Sequence, residues 1–355
     1  MEKVYKLRKQ FAAAGIDGML VTSGQNRRYL TNFTGTYGVV LISHDQAKLL
    51  TDFRYTAQAA EQATDFEIVF LPVKESVYSE VARLAEEMGI TKLGFEEDNL
   101  TYALHRKYGE TAKTEMVPTT GVIESLRMIK SAEELSKIQT AADIADAAFT
   151  HITTYLRPGI TELDVSNELE MFMRKQGAAG SAFDIIIASG HRSALPHGVA
   201  SNKQIESGDM VTMDFGAIYQ GYRSDITRTV AVGEPTAQFK EIYDIVLEAR
   251  NRAVAGIRPG ITGKVADAFA RDYITEKGYG ERFGHGMGHG VGLDIHEEPF
   301  MSTRCSAIIQ PGMVLTVEPG IYLPDIGGVR IEDDLVVTEN GNDVLTHSPR
   351  DLIIL

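Results

Sequence analysis

The chain has 355 residues, 43% of them apolar, which is enough for two domains with a core each, and its formal net charge of -14 with no Lys/Arg-rich run would repel a phosphate backbone. Nucleic acid is thereby disfavoured as a partner. Cys305 is the only cysteine, so no intrachain disulfide or thiolate cluster can form; no run approaches the roughly 20 apolar residues that span a bilayer, and Met1 to Gly18 is charged and amphipathic, so a cytoplasmic protein without a membrane partner is expected.

Over residues 1–125 short apolar runs alternate with amphipathic stretches. Gly18-Met-Leu-Val-Thr22, Tyr37 to Ile42, Lys48 to Thr51 and Phe66 to Leu71 predict strands, and helical spacing covers Lys3 to Ala14, Tyr55 to Ala63 and Val77 to Met88. That alternation reads as an α/β domain. It carries no catalytic signature, and His44 and His105 read as surface or loop residues.

At Lys130-Ser131-Ala-Glu-Glu134 the pattern changes: Ser131 followed three residues later by Glu134 predicts a capping box, and apolar residues then recur at helical spacing to about Tyr155. A second domain is placed over residues 126–355. It contains an internal repeat. Arg157-Pro-Gly-Ile-Thr161 recurs as Arg258-Pro-Gly-Ile-Thr262, and downstream Ser207-Gly-Asp-Met-Val-Thr-Met-Asp214-Phe-Gly216 matches Pro311-Gly-Met-Val-Leu-Thr-Val-Glu318-Pro-Gly320. Asp214 and Glu318 are therefore equivalent, and each half ends with a second acid on a later strand, Asp225 and Glu332.

Two copies related by a pseudo-two-fold axis would bring these four carboxylates into one cleft. As anions they could not share it uncompensated, because like charges a few ångströms apart raise one another's pKa and burial adds to the cost. Two divalent cations would neutralise all four. A single strand acid usually faces solvent, but that account does not extend to four at repeat-equivalent positions in apolar strands.

The segment from Phe283 to Pro299 places His285, His289 and His296 among five glycines, which permit close backbone approach to an ion or substrate. Isolated histidines such as His151 and His347 read as ordinary core or surface residues. Neither phosphate-loop fingerprint is present, His296-Glu-Glu-Pro-Phe300 lacks the second histidine of H-E-x-x-H, and no G-x-S-x-G elbow occurs. Metal-assisted hydrolysis is what remains.

Residues from about 130 to 350 resemble the catalytic domain shared by aminopeptidase P, prolidase, methionine aminopeptidase and creatinase, a pita-bread α+β domain built on a pseudo-two-fold repeat. Residues 1 to about 122 resemble the N-terminal domain of the aminopeptidase P, prolidase and creatinase branch, which methionine aminopeptidases lack. The resemblance implies Asp214, Asp225, His289, Glu318 and Glu332 as ligands of two divalent metal ions. Mn2+ is the first choice, with Co2+ or Zn2+ compatible with a set of one nitrogen and many oxygens.

It further implies His285 and Arg330 as substrate-binding residues, His197 in Leu195-Pro-His197-Gly as the flap histidine at the scissile bond, His296 as the contact to the carbonyl oxygen, and Glu318 as the proton acceptor. Arg330 would meet the substrate's carboxylate or a backbone carbonyl, or else form a salt bridge with Glu332 or Asp333. The activity expected is that of an Xaa-Pro aminopeptidase acting on peptides with proline at the second position, with an Xaa-Pro dipeptidase (prolidase) as the alternative. A non-catalytic binding module is disfavoured because all five ligands are present, and analogy with the family suggests a homodimer.

Overall fold

The computed structural model describes residues 1–72, 74–324 and 326–355, and the chain divides into two units, Met1–Arg127 and Met128–Leu355. In the first unit the strands β1 (Gly18–Val21), β2 (Val39–Ser43), β3 (Ala47–Thr51), β4 (Glu67–Phe70), β5 (Lys92–Glu96) and β6 (Glu115–Thr119) form one sheet in the order β4-β3-β2-β1-β5-β6. β5 and β6 run parallel to β1, while β2 is antiparallel to it. Neither β5 nor β6 is predicted from sequence. Gly94 and Pro118 interrupt the apolar runs there, and Pro118 is tolerated because β6 lies at the sheet edge.

The helix expected over Lys3 to Ala14 is two helices, Glu2–Arg8 and Phe11–Ala14. The Gln10 N–H reaches back only to the Leu7 carbonyl, 2.9 Å away, tightening the chain into a 3-10 turn between them.

In the second unit the repeat takes physical form. Helices Ala132–Tyr155 and Glu162–Lys175 precede β7 (Gly180–Ser181), β8 (Ile186–Ser189), β9 (Met210–Phe215), β10 (Ala217–Tyr219), β11 (Tyr222–Arg223) and β12 (Ile226–Ala231). Helices Ala237–Gly256 and Gly263–Glu276 precede β13 (Gly288–Gly290), β14 (Glu297–Met301), β15 (Val314–Val317), β16 (Gly320–Leu323), β17 (Gly327–Arg330), β18 (Asp333–Val337) and β19 (Asn342–Val344). The predicted capping box is present: Glu134 N–H donates to Ser131 Oγ, and the Glu134 carboxylate accepts the Ser131 N–H at 2.9 Å.

Each Arg-Pro-Gly-Ile-Thr turn is built alike. Its glycine sits at positive φ (Gly159 at 93°, Gly260 at 89°), donates to the Ile205 or Ile309 carbonyl, and is followed by a threonine that caps the next helix. Each copy has its own apolar core, one around Phe149, Leu169 and Met213, the other around Ile242, Phe283 and Leu315.

The copies meet edge to edge where β12 faces β17. Thr229 Oγ donates to the Arg330 carbonyl at 2.9 Å, and the Glu332 N–H donates to the Thr227 carbonyl at 3.0 Å. Both acid-bearing hairpins therefore open onto the same junction. No helix among the described residues is long and apolar enough to cross a membrane.

Candidate metal centre

Asp214 lies in β9 opposite Thr227, and Asp225 immediately precedes β12. Glu318 immediately follows β15, and Glu332 lies between β17 and β18. His289 is the middle residue of β13, which pairs with both β14 and β15. Together with His197, His285, His296 and Arg330, these five residues line a single cavity of about 760 Å³.

Within the cavity Asp225, His289 and Glu332 each offer a donor atom lying within 4.8 Å of the other two, and all three side chains are buried. His289 Nε2 stands 3.7 Å from Asp225 Oδ2 and 3.6 Å from Glu318 Oε1. Its Nδ1 is 3.0 Å from the Gly290 carbonyl and therefore carries the proton, which turns the Nε2 lone pair toward the carboxylates. Burial lowers the His289 pKa to about 4 and keeps the ring neutral at physiological pH.

The acids respond in the opposite direction. Burial first, and then repulsion from Glu332 and Asp214, pushes Asp225 well above the carboxylate range; burial followed by repulsion from Glu318 does the same to Glu332. Burial, opposed by Arg330 and reinforced by Asp214, brings Glu318 to about 8. Asp214 Oδ1 and Asp225 Oδ1 are buried with no hydrogen-bond partner among the described residues. Oxygens so placed cost free energy unless a cation meets them. An oxygen-rich donor set with one imidazole suits hard or borderline divalent ions, so the residues present fit a metal centre.

Around the acids runs a hydrogen-bonded chain. The Arg330 guanidinium donates to the Asp214 carboxylate, to the Tyr322 hydroxyl at 2.9 Å, to the Pro196 carbonyl at 3.1 Å and, through Nε, to Thr227 Oγ at 3.1 Å. Tyr322 passes its own hydrogen to His285 Nε2 at 2.8 Å, since His285 Nδ1–H is directed to the Gly286 carbonyl. Thr227 Oγ in turn donates to Glu332 Oε2 at 2.6 Å. Arg330 is thus paired with neither Glu332 nor Asp333, the two partners considered from sequence. Asp333 is held instead by Arg228, Arg250 and Arg350.

His296 packs edge-on against His289, ring centroids 4.4 Å apart, and its pKa is lowered by burial and then by neighbouring His197. His197 is exposed on the segment joining β8 to β9. Tyr322 and Thr227 were not singled out from sequence. The signal for Tyr322 was the strand period, which places 318, 320 and 322 on one face; Thr227 had none.

Residues 136–339 match the model of metallopeptidase family M24, and residues 3–129 match that of the creatinase/prolidase N-terminal domain. An Xaa-Pro dipeptidase from Bacillus anthracis has a solved structure that superposes with a TM-score of 0.99 at 59% identity, over 100% of this chain and 99% of the other. The prolidase of Pyrococcus horikoshii OT3 gives 0.94 at 42% identity, over 99% and 100%. An X-Pro aminopeptidase from Thermotoga maritima MSB8 gives 0.91 at 40% identity, over 98% and 100%.

Proposed function

The chain belongs to metallopeptidase family M24, and we propose that it is an Xaa-Pro dipeptidase, a prolidase, working with two divalent ions, Mn2+ in the first instance. The observation that carries this reading is the convergence of Asp214, Asp225, His289, Glu318 and Glu332 in one cavity of a chain that is 59% identical to the Bacillus anthracis dipeptidase. The sequence preference for an aminopeptidase gives way here to its alternative.

Those five side chains would hold the ions. When bound, the ions lower the pKa of a water from about 15.7 toward roughly 7 and polarise the scissile carbonyl. Glu318, as the carboxylate that bound cations would favour, accepts the proton of the attacking water and returns it to the departing proline nitrogen. His296 donates to the carbonyl oxygen as negative charge develops on it. His197 orients the scissile bond at the cavity wall.

Proline leaves the substrate without an N–H at that position and with a fixed φ, so recognition must come from shape. Phe183, Ile186, Ile295 and Phe300 supply apolar wall for the ring. Among the described lining residues Arg330 is the one arginine or lysine, which makes it the partner for the proline carboxylate of a dipeptide.

The test is hydrolysis of Ala-Pro, Ala-Pro-Ala and a longer Xaa-Pro peptide with Mn2+ present, following the liberated amino acid. Cleavage of Ala-Pro alone is expected. The second reading, an Xaa-Pro aminopeptidase, is favoured by the likeness to the Thermotoga maritima enzyme and would be established by cleavage of all three. Cleavage of none would remove the Xaa-Pro assignment.

A further inference from the structure

The two copies of the repeat part company one residue after the turn. Thr161 is followed by Glu162, and its equivalent Thr262 by Gly263. Backbone geometry around the two positions is otherwise alike. Glu162 N–H donates to the Lys203 carbonyl and Leu163 N–H to the Ser201 carbonyl, as Gly263 and Lys264 donate to Ala307 and Cys305. At Gly263 a side chain would meet Cys305 Sγ at 2.6 Å, so the second copy is closed there. The first copy fills the same place with a carboxylate that is 0% exposed.

That carboxylate is saturated with donors, and they come from both ends of one segment. Oε1 accepts the Ser189 N–H at 2.8 Å and Ser189 Oγ at 2.9 Å. Oε2 accepts the Ser201 N–H at 3.1 Å, Ser201 Oγ at 2.6 Å and Arg192 Nε at 3.0 Å. Arg192 then extends to the Val199 carbonyl at 2.7 Å. The helix needs none of this, because Thr161 and Asp164 already form its capping box. What Glu162 closes is the loop from Ser189 to Ser201, and that loop carries His197.

We propose that Glu162 is a positioning residue for His197: by clasping both ends of the 189–201 segment it fixes where that histidine stands over the cavity. The proposal rests on the peptidase reading, in which His197 orients the scissile bond. A displacement of about 1 Å in an orienting group is enough to cost catalysis severalfold to a hundredfold.

The test is a double-mutant cycle on the Mn2+-loaded protein, with Glu162→Gln, His197→Ala and the pair. A glutamine at 162 keeps one acceptor oxygen and turns its NH2 toward the donors of the other serine, Ser189 or Ser201, so one end of the clasp is lost. Glu162→Gln should lower kcat/KM about tenfold, mostly through kcat, and by less than about twofold when His197 is already alanine. An equal loss in both backgrounds, or no loss in either, overturns the proposal. Ser201→Ala, which removes one donor only, should show the same pattern in smaller measure should Glu162→Gln fail to fold.

Hydrogen exchange supplies a readout independent of turnover. Amides 190–200 should exchange faster in Glu162→Gln while those of helix Ala237–Gly256 do not change. Faster exchange with no Xaa-Pro cleavage by the parent protein would sink the peptidase reading and leave the clasp standing; unchanged exchange would sink the clasp.

Discussion

The Arg330 guanidinium is bonded to the Asp214 carboxylate across the junction of the two repeat copies, and both side chains are largely buried, at 3% and 12% exposure. Arg330 is paired with Asp214 and its charge also acts on Glu318 and Glu332, and burial alone would depress its own charge were those acids and Tyr322 not there to hold it. In the metal-free protein it therefore offsets the Asp214 charge and part of the field of the neighbouring acids. Arg330→Met should destabilise metal-free protein by about 3 kcal/mol, in the range for breaking a buried pair, and the Mn2+-loaded protein by less than half of that. Urea unfolding in chelator and in saturating Mn2+ measures both; equal losses would show that Arg330 is not compensating these acids.

Metal binding should tighten as pH rises. Glu318 goes from an ordinary value of 4.5 to about 8, and Asp225 and Glu332 are also raised, so the metal-free folded state retains protons that the unfolded chain has lost. A raised folded pKa means stability that is present in full below about 4.5 and declines as pH climbs through about 8. Ions must displace those protons, so Mn2+ affinity should increase by about tenfold per pH unit between 6 and 8 for each proton released. Titration calorimetry in buffers of different ionisation enthalpy counts the protons. Affinity that is flat over this range would contradict the arrangement.

The acid side of the stability curve belongs to a different carboxylate. Asp333 is fully buried, which alone would raise its pKa, but Arg228, then Arg250 and Arg350, override burial and bring it from 3.8 to about 2. A depressed folded pKa gives stability that is present above about 3.8 and lost as pH falls toward about 2. The shift corresponds to about 2 kcal/mol. Metal-free Asp333→Asn should lose this pH dependence below pH 4 while being less stable at neutrality, because three guanidinium groups lose their common anion. Urea midpoints from pH 2.5 to 7 test it, and a mutant with an unaltered acid limb would place the dependence elsewhere.

How far the site was legible depended on whether a residue's role repeats. Asp214 with Glu318, and Asp225 with Glu332, can be paired because each copy carries its own acids at equivalent positions, and that symmetry alone implies a shared cleft. Tyr322 breaks the pattern, since its counterpart is Ile218, and so gave no signal beyond strand alternation. Arg330 was visible as a charge, but its partner Asp214 lies 116 residues away and only the junction of β12 with β17 brings them together. Glu162 was hidden for the same reason, since its partners are gathered from both ends of a loop. In the first unit the apolar runs revealed β1 to β4, whereas Gly94 and Pro118 disguised β5 and β6.

The glycines around His289 are not interchangeable, and their difference can be measured. A side chain at Gly288 would stand 2.1 Å from the Thr316 carbonyl oxygen, and one at Gly290 would stand 2.6 Å from the Glu298 carbonyl oxygen, both of them backbone atoms of the flanking strands. At Gly284, earlier in the same run, nothing lies within 4 Å. β13 is thus threaded between β14 and β15 so tightly that only glycine fits on either side of His289, while Gly284 is under no such constraint. Gly288→Ala must push β13 away from β15 and carry the His289 ring with it, which should cost about 3 kcal/mol in stability and lower Mn2+ affinity at least about tenfold. Gly284→Ala should leave the melting temperature and Mn2+ stoichiometry close to those of the parent. If Gly288→Ala bound Mn2+ as the parent does while melting earlier, His289 would be held by something other than the strand that carries it, and the Thr316 Oγ to His289 N–H bond at 3.0 Å would be the next contact to remove.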